Sequence, residues 1–99
     1  MTQRQEQSKF MRMLPLLILY AYELGYELTP GDTYPGKFKH KKSGFHPKGL
    51  AIDLNLFKDG VYLEETKDHL PLGLFWESIG GSWGGRWEDG NHYSLGERR

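Results

Sequence analysis

The sequence predicts an α+β domain, and three features of its pattern carry that prediction. Residues 3 to 24 repeat apolar side chains at three- and four-residue steps, as an amphipathic helix does. Residues 50 to 57 and 61 to 63 are typical of strands, and the glycine-containing link KDG between them predicts an antiparallel hairpin. A second apolar stretch, which ends at Ile79, predicts another helix.

The first helix has a clear end and an ambiguous beginning. Gly25 is a natural stop after the last apolar position. If Ser8 caps the helix, Pro15 lies in its interior, where proline removes a hydrogen bond and costs about 3 kcal/mol. Either the helix kinks at Pro15, or the main helix begins near Leu14 with Pro15 in its first turn. The apolar positions are Phe10, Met13, Leu14, Leu17, Ala21 and Leu24.

The strand at residues 50 to 57 contains an unexpected charge. Because side chains alternate across a strand, its even-numbered leucines and isoleucine share one face, and Ala51, Asp53 and Asn55 share the other. Aspartate is depleted from strands, and a buried carboxylate is costly unless something pairs with it. Asp53 therefore either lies at a solvent-exposed strand edge or has a cationic partner. The small polar face suits a shallow cleft.

The remaining elements are short. Residues 26 to 29 are a strand candidate, and residues 30 to 48 form a loop with a basic tract, KFKHKK. The second helix begins at Thr66 or Pro71. GGSWGGRW then makes a turn-rich link, residues 92 to 94 are expected to be a last strand, and the tail LGERR is expected to fray.

Composition limits the function classes. The 99 residues are expected to form a single domain, residues 1–99, and a monomer. Thirteen basic residues balance thirteen acidic ones, which argues against nucleic acid or a membrane surface as partner. The absence of cysteine excludes disulfides and thiolate metal sites. The apolar stretch MLPLLILYAY lacks a small-residue cleavage site and is too short to span a bilayer, so no signal peptide is predicted and synthesis is expected in the cytoplasm.

Four residues form a candidate metal and catalytic group. Two histidines and a carboxylate can make a three-ligand zinc site with a fourth position open. His46 precedes Asp53 by a short turn that leads into the strand, and His92 is expected to come from a neighbouring strand. Asp89, three residues before His92, would lie beside the metal, where a general base belongs.

In this pattern the sequence resembles the M15 family of zinc peptidases, which includes D-Ala-D-Ala dipeptidases and carboxypeptidases and the L-alanyl-D-glutamate endopeptidases of phage lysis. The family's first motif, S-x-H-x-x-G-x-A-x-D, corresponds to HPKGLAID ending at Asp53. Its second, D/E-x-x-H, corresponds to DGNH ending at His92, and a Gly-Gly-x-Trp segment precedes it as GGRW. The resemblance covers roughly residues 13 to 95.

The resemblance implies a fold, a cofactor and a reaction. The fold would be a small central antiparallel sheet flanked by helices, as in hedgehog and DD-peptidase domains. His46, Asp53 and His92 would bind Zn²⁺, and Asp89 would be the general base. The substrate would be a peptidoglycan stem peptide, with L-Ala–D-Glu hydrolysis by a phage lysis enzyme the leading variety. Such an enzyme is expected to be made in the host cytoplasm and to act on the cell wall after a separate membrane lesion.

The sequence departs from the family at two positions. Gly44 replaces the serine of the first motif, although Ser43 is adjacent, and Pro35 stands where many relatives carry a substrate-binding arginine. Lys42 and its neighbours offer charge but not the planar fork of an arginine. The departure at Pro35 motivates an alternative function: a zinc-binding structural or interaction module that has lost turnover.

Other residues have weaker predicted roles. Candidate substrate contacts are Tyr34, Lys42, Ser43, Asn55 and Trp87. Asn55 shares the face of Asp53 and is also a candidate support for the ligands. Three aromatic residues, Trp83, Trp87 and Tyr93, are expected either in the core or in the cleft wall. His40 and His69 are expected to be structural or solvated.

Overall fold

The computed structural model describes residues 1–31 and 50–96. These residues form two α-helices, α1 (Gln3–Glu23) and α2 (Leu70–Ser78), and five strands, β1 (Glu27–Pro30), β2 (Ala51–Lys58), β3 (Val61–Leu63), β4 (Ser82–Trp83) and β5 (His92–Ser94). Short 3-10 helices cover Thr66–His69 and Gly84–Trp87. The predicted α+β class is confirmed, and the predicted strands differ from the observed ones by a residue at most at either end.

Helix α1 begins earlier than Ser8. The backbone N–H of Gln5 donates to the Thr2 hydroxyl at 3.1 Å, and the Thr2 N–H donates to the Gln5 side chain at 2.8 Å. This reciprocal capping box satisfies two N–H groups that lack partners inside the helix. The helix then continues through Pro15. The helix predicted over residues 3 to 24 is therefore confirmed to within one residue, and neither Ser8 nor a start near Leu14 is its beginning, because Thr2 caps it upstream of both.

Strand β2 organises the sheet. The strand order is β1-β2-β5-β4, with β3 also paired to β2, and every pairing is antiparallel. Lys58 pairs with Val61, so the hairpin link is the two-residue turn Asp59–Gly60 and not the three residues expected. Both turn residues have positive φ, 53° and 80°, as the type I′ turn of a tight hairpin requires.

The core lies on one side of β2. Leu54 and Leu56, from the apolar face of the strand, are buried with side chains of α1 and α2. The Trp76 ring packs edge-on against Phe10 and Tyr93. The buried set is Phe10, Met13, Leu17, Ala21, Leu54, Leu56, Leu72, Trp76, Trp83 and Tyr93. The opposite face of β2 therefore remains outside this core.

The outer face of α1 carries apolar side chains in contact with solvent. Met11, Leu16 and Leu19 are 60%, 48% and 63% exposed. Within residues 1–31 and 50–96, none of the helices has the length and apolar character needed to cross a bilayer.

Candidate metal and catalytic site

Two of the predicted metal ligands are neighbours in the sheet. Asp53 on β2 and His92 on β5 face each other as Cα partners, although they are 39 positions apart in sequence. The Nδ1 atom of His92 lies 3.3 Å from Oδ1 of Asp53. Both side chains are sheltered, with 6% of His92 and 19% of Asp53 exposed. The pairing of β2 with β5 thus assembles an imidazole and a carboxylate at one point of the polar face.

This pair fits a metal ion as well as it fits a hydrogen bond. Two donor atoms that each lie about 2.0 to 2.2 Å from one tetrahedral Zn²⁺ are about 3.4 Å apart, close to the observed separation. A nitrogen and a carboxylate oxygen are also ligands that zinc accepts. The third predicted ligand, His46, lies outside the described residues. In the described part of the chain, no group of three or more His, Cys, Asp or Glu side chains could hold a metal ion, and that part contains two of the three predicted ligands.

Asp89 lies in a tight turn that leads directly to His92. The Asp89 N–H donates to the Gly84 carbonyl at 2.9 Å, and the His92 N–H donates to the Asp89 carbonyl at 3.1 Å. A Cβ atom at Gly84 would collide with the Asp89 carbonyl oxygen and lie 2.8 Å from the Cβ of His92. The close approach requires glycine at position 84. The predicted general base, which is half-buried, is therefore fixed by its backbone to the strand that carries His92, a predicted metal ligand.

Thr66, which the sequence did not single out for the site, and Trp83, which was expected in the core or the cleft wall, anchor this turn. The Gly90 N–H donates to the Thr66 hydroxyl at 3.1 Å, and the Trp83 indole N–H donates to the Gly90 carbonyl at 2.8 Å. The N–H and the carbonyl of Gly90, the residue after Asp89, are thus both hydrogen-bonded to side chains from elsewhere in the chain. No sequence signal identifies Thr66, because its contact with Gly90 spans 24 positions and no motif includes it.

Replacing Thr66 with valine is expected to weaken both the fold and the site. The variant keeps the shape of the side chain but leaves the Gly90 N–H without its acceptor, which costs about 1 to 3 kcal/mol for a buried donor. We expect the midpoint of urea unfolding to fall and peptidase turnover to fall with it. Thr66→Ser keeps the hydroxyl and is the matched control. Equal unfolding midpoints for the two variants would show that this hydrogen bond does not stabilise the turn.

The remaining predicted contacts divide into described and undescribed residues. Asn55 lies two positions from Asp53 on the same face and donates to the Thr29 hydroxyl at 3.3 Å. The half-buried Trp87 ring lies beside His92, with 6.3 Å between ring centroids. Trp83 and Tyr93, by contrast, belong to the core. Tyr34, Lys42 and Ser43 lie outside the described residues, as do His40 and Pro35.

A buried histidine–tyrosine pair supports β5 from the core side. His69 is 2% exposed, and its Nδ1 atom lies 2.8 Å from the hydroxyl of Tyr93, the residue that follows His92. Burial lowers the pKa of His69 to about 4, against the opposing effect of the Asp68 charge. Burial also raises the pKa of the Tyr93 phenol, opposed by a hydrogen bond from Trp83. Of the two environments predicted for His69, the structural one is therefore correct.

His69 predicts a loss of stability in mild acid. The unfolded chain, with a histidine pKa of 6.5, binds protons more readily than the folded chain, with a pKa of about 4. The free energy of unfolding should therefore fall as pH drops from about 6.5 to about 4, by on the order of 3 kcal/mol. Urea unfolding of the metal-free protein, in chelator, measures it without interference from zinc. His69→Gln should flatten this part of the pH profile, and an unchanged slope would contradict the assignment.

A comparison with known protein families identifies the family of this chain. A model of an M15 peptidase family, described as D-alanyl-D-alanine carboxypeptidase, matches residues 39–95, which is more than half of the chain. The matched segment contains both strands of the Asp53–His92 pair and the turn at Asp89. The chain matches no curated protein. Because the match covers more than half of the chain, the chain belongs to the M15 family of peptidases.

Proposed function

We propose that this M15 peptidase depends on zinc and hydrolyses the L-alanyl–D-glutamate bond of peptidoglycan stem peptides during phage lysis. One observation carries the proposal. Asp53 and His92, from strands far apart in sequence, lie 3.3 Å apart, and a short hydrogen-bonded turn joins His92 to Asp89. This is the combination of a metal-binding pair and a nearby carboxylate that hydrolysis of a peptide bond needs.

Each residue has a definite proposed role. Asp53 and His92, with His46 as the third ligand, would hold Zn²⁺. Zinc bound there supplies Lewis acidity, which lowers the pKa of water and polarises the scissile carbonyl. Asp89 accepts the proton of the attacking water and then delivers it to the leaving amine. The turn that holds Asp89 contributes by fixing its distance from the ligands, since a small misplacement of a reacting group is costly.

The polar face of β2 is the proposed binding surface for the stem peptide. This face carries Asp53, lies opposite the core, and also carries Asn55 two positions further along, where the Asn55 amide donates to the Thr29 hydroxyl. We propose that the protein acts as a monomer, is made in the host cytoplasm, and reaches the cell wall through a separate membrane lesion.

Zinc content and turnover, measured on one preparation, test the proposal. Elemental analysis gives zinc per chain, and mass spectrometry identifies the amino groups released from purified peptidoglycan. Zinc together with new D-glutamate amino termini supports the endopeptidase. Release of free D-alanine would instead make the protein a carboxypeptidase. Zinc without any product would favour a module that has lost turnover, and absence of zinc would overturn the ligand assignment.

A further inference from the structure

The face of β2 that carries Asp53 continues as an ordered row of side chains towards the hairpin. In the sheet register Asn55 faces Thr29 on β1, and Phe57 faces Glu27 on β1 and Tyr62 on β3. Cross-strand partners project from the same side of a sheet. The row therefore runs from the ligand pair through an amide and a hydroxyl to two aromatic rings and a carboxylate. We call the last group, Phe57, Tyr62 and Glu27, the hairpin platform.

The aromatic rings of the hairpin platform lie outside the core. Their centroids are 5.2 Å apart with 36° between the ring planes. Tyr62 is 50% exposed and Phe57 is half-buried, while the adjacent Leu56 on the other face is fully buried. Adjacent exposed aromatic side chains that the core does not need are typical of binding surfaces.

The polar groups around the rings narrow the class of ligand. Glu27 is exposed, and within the described residues it forms no ion pair. A pyranose ring presents a face of C–H groups that packs on aromatic rings, and hydroxyl and acetamido groups at its edge that bind carboxylates and amides. The hairpin platform offers both kinds of contact within a few residues of Asn55.

The distance along β2 separates the two possible bonds: a sugar that begins about 7 Å from the cleaved bond can extend over Phe57, about 13 Å from Asp53, whereas a sugar that begins about 17 Å away starts beyond Phe57. Phe57 is four residues from Asp53, which is about 13 Å along a strand. In peptidoglycan, one alanine and one lactyl group, each about 3.5 Å long, separate the L-alanyl carbonyl from the first sugar, so the sugars begin about 7 Å away. From a D-Ala–D-Ala bond, at the other end of the stem, the sugars begin at least about 17 Å away.

We propose that the hairpin platform binds an N-acetylated sugar of the peptidoglycan glycan strand and thereby selects the stem-peptide bond nearest the glycan. The proposal rests on the proposed function, because it assumes that the peptide bond is cleaved next to Asp53. The sugar ring packs on Phe57 and Tyr62, and Glu27 accepts hydrogen bonds from its hydroxyl groups. When the sugar is bound at the hairpin platform, its distance from Asp89 determines which peptide bond of the stem lies at Asp89.

The test uses the zinc-loaded full chain and a peptide-free disaccharide of N-acetylglucosamine and N-acetylmuramic acid. In a titration followed by amide NMR, we expect the disaccharide to shift the resonances of residues 57 to 62. The double variant Phe57→Ala/Tyr62→Ala should weaken the affinity about five- to tenfold, as expected for the loss of aromatic packing. Tyr62→Ser, at the more exposed position, is a milder variant if the double variant loses its dispersed spectrum. Val61→Ala, on the same hairpin but opposite face, is the control.

Each outcome decides between defined alternatives. No shift at the hairpin at millimolar disaccharide, or equal affinity in wild type and Tyr62→Ser, would overturn the proposal. Shifts caused by a sugar-free stem peptide and not by the disaccharide would also overturn it, and would assign the platform to the peptide. Sugar binding without hydrolysis of peptidoglycan would contradict the proposed function and leave the sugar site standing. Hydrolysis of peptidoglycan without sugar binding would support the proposed function and overturn the sugar site.

Discussion

Replacing Asp89 with asparagine is expected to lower the turnover of peptidoglycan by about 100- to 10,000-fold, the usual contribution of a general acid–base residue. The amide cannot accept the proton of the attacking water, but it preserves the size of the side chain. The backbone hydrogen bonds that hold the turn to Gly84 and His92 do not involve the side chain and should remain. Zinc content should therefore stay unchanged while product release, measured by mass spectrometry, nearly disappears.

The neighbouring carboxylate provides the control for Asp89. Glu88 is exposed and has a φ of 65°, a backbone conformation that few residues adopt. Glu88→Gln is the suitable control because it removes the charge and keeps the length of the side chain. This variant should retain wild-type turnover. If Asp89→Asn remained as active as Glu88→Gln, Asp89 would not be the general base. If it lost zinc, its effect would be on the metal site and not on proton transfer.

Replacing Asp53 with asparagine is expected to remove zinc. The substitution eliminates the charge of a ligand that lies 3.3 Å from the His92 nitrogen, at a partly sheltered position. Affinity should fall by more than about 100-fold, beyond the roughly 10- to 100-fold loss seen when a ligand loses only its supporting hydrogen bond. A zinc titration with a competing chelator measures the affinity. In the wild type, the same affinity should fall below about pH 6 as protons compete for the imidazoles.

Asn55 offers the matched control for this second prediction. It lies two positions along β2, on the same face, and its described contact is with Thr29 and not with the ligand pair. Asn55→Ala should leave zinc affinity unchanged. Equal affinities for Asp53→Asn and Asn55→Ala would mean that Asp53 is not a metal ligand, and the aspartate in the strand would need another explanation.

The sequence predicted the elements of the fold because most of them carry local signals. The apolar steps of α1 and the glycine-containing hairpin link are determined within a few residues. Asp53 was conspicuous for the opposite reason: a charge interrupts a strand pattern, and such local conflicts are expected at functional sites. Its proximity to His92 was expected because two histidines and a carboxylate can form a zinc site, and the resemblance to a family implied the same pairing.

What the sequence could not predict depends on contacts between distant residues. Thr66 and Trp83 bind the Gly90 backbone across 24 and 7 positions, and neither residue type announces such a contact. The extent of α1 was predicted correctly but its cap was not identified, because Ser8 and Thr2 are both acceptable caps and only Thr2 has Gln5 in the position that completes the box. His46 remains a prediction, since it lies outside the described residues.

The pairing of β2 with β5 has a consequence for the order of folding. Helix α1 and the β2–β3 hairpin close over short stretches of chain, and such elements form within microseconds. Asp53 and His92 meet only after 39 positions of chain have been closed into a loop, and contacts of this separation form late because their entropy cost must be met first. We therefore expect the contact between Asp53 and His92 to be among the last to form. A nascent or partly folded chain would then bind zinc poorly, and the peptidase would stay inactive until the whole sheet is complete.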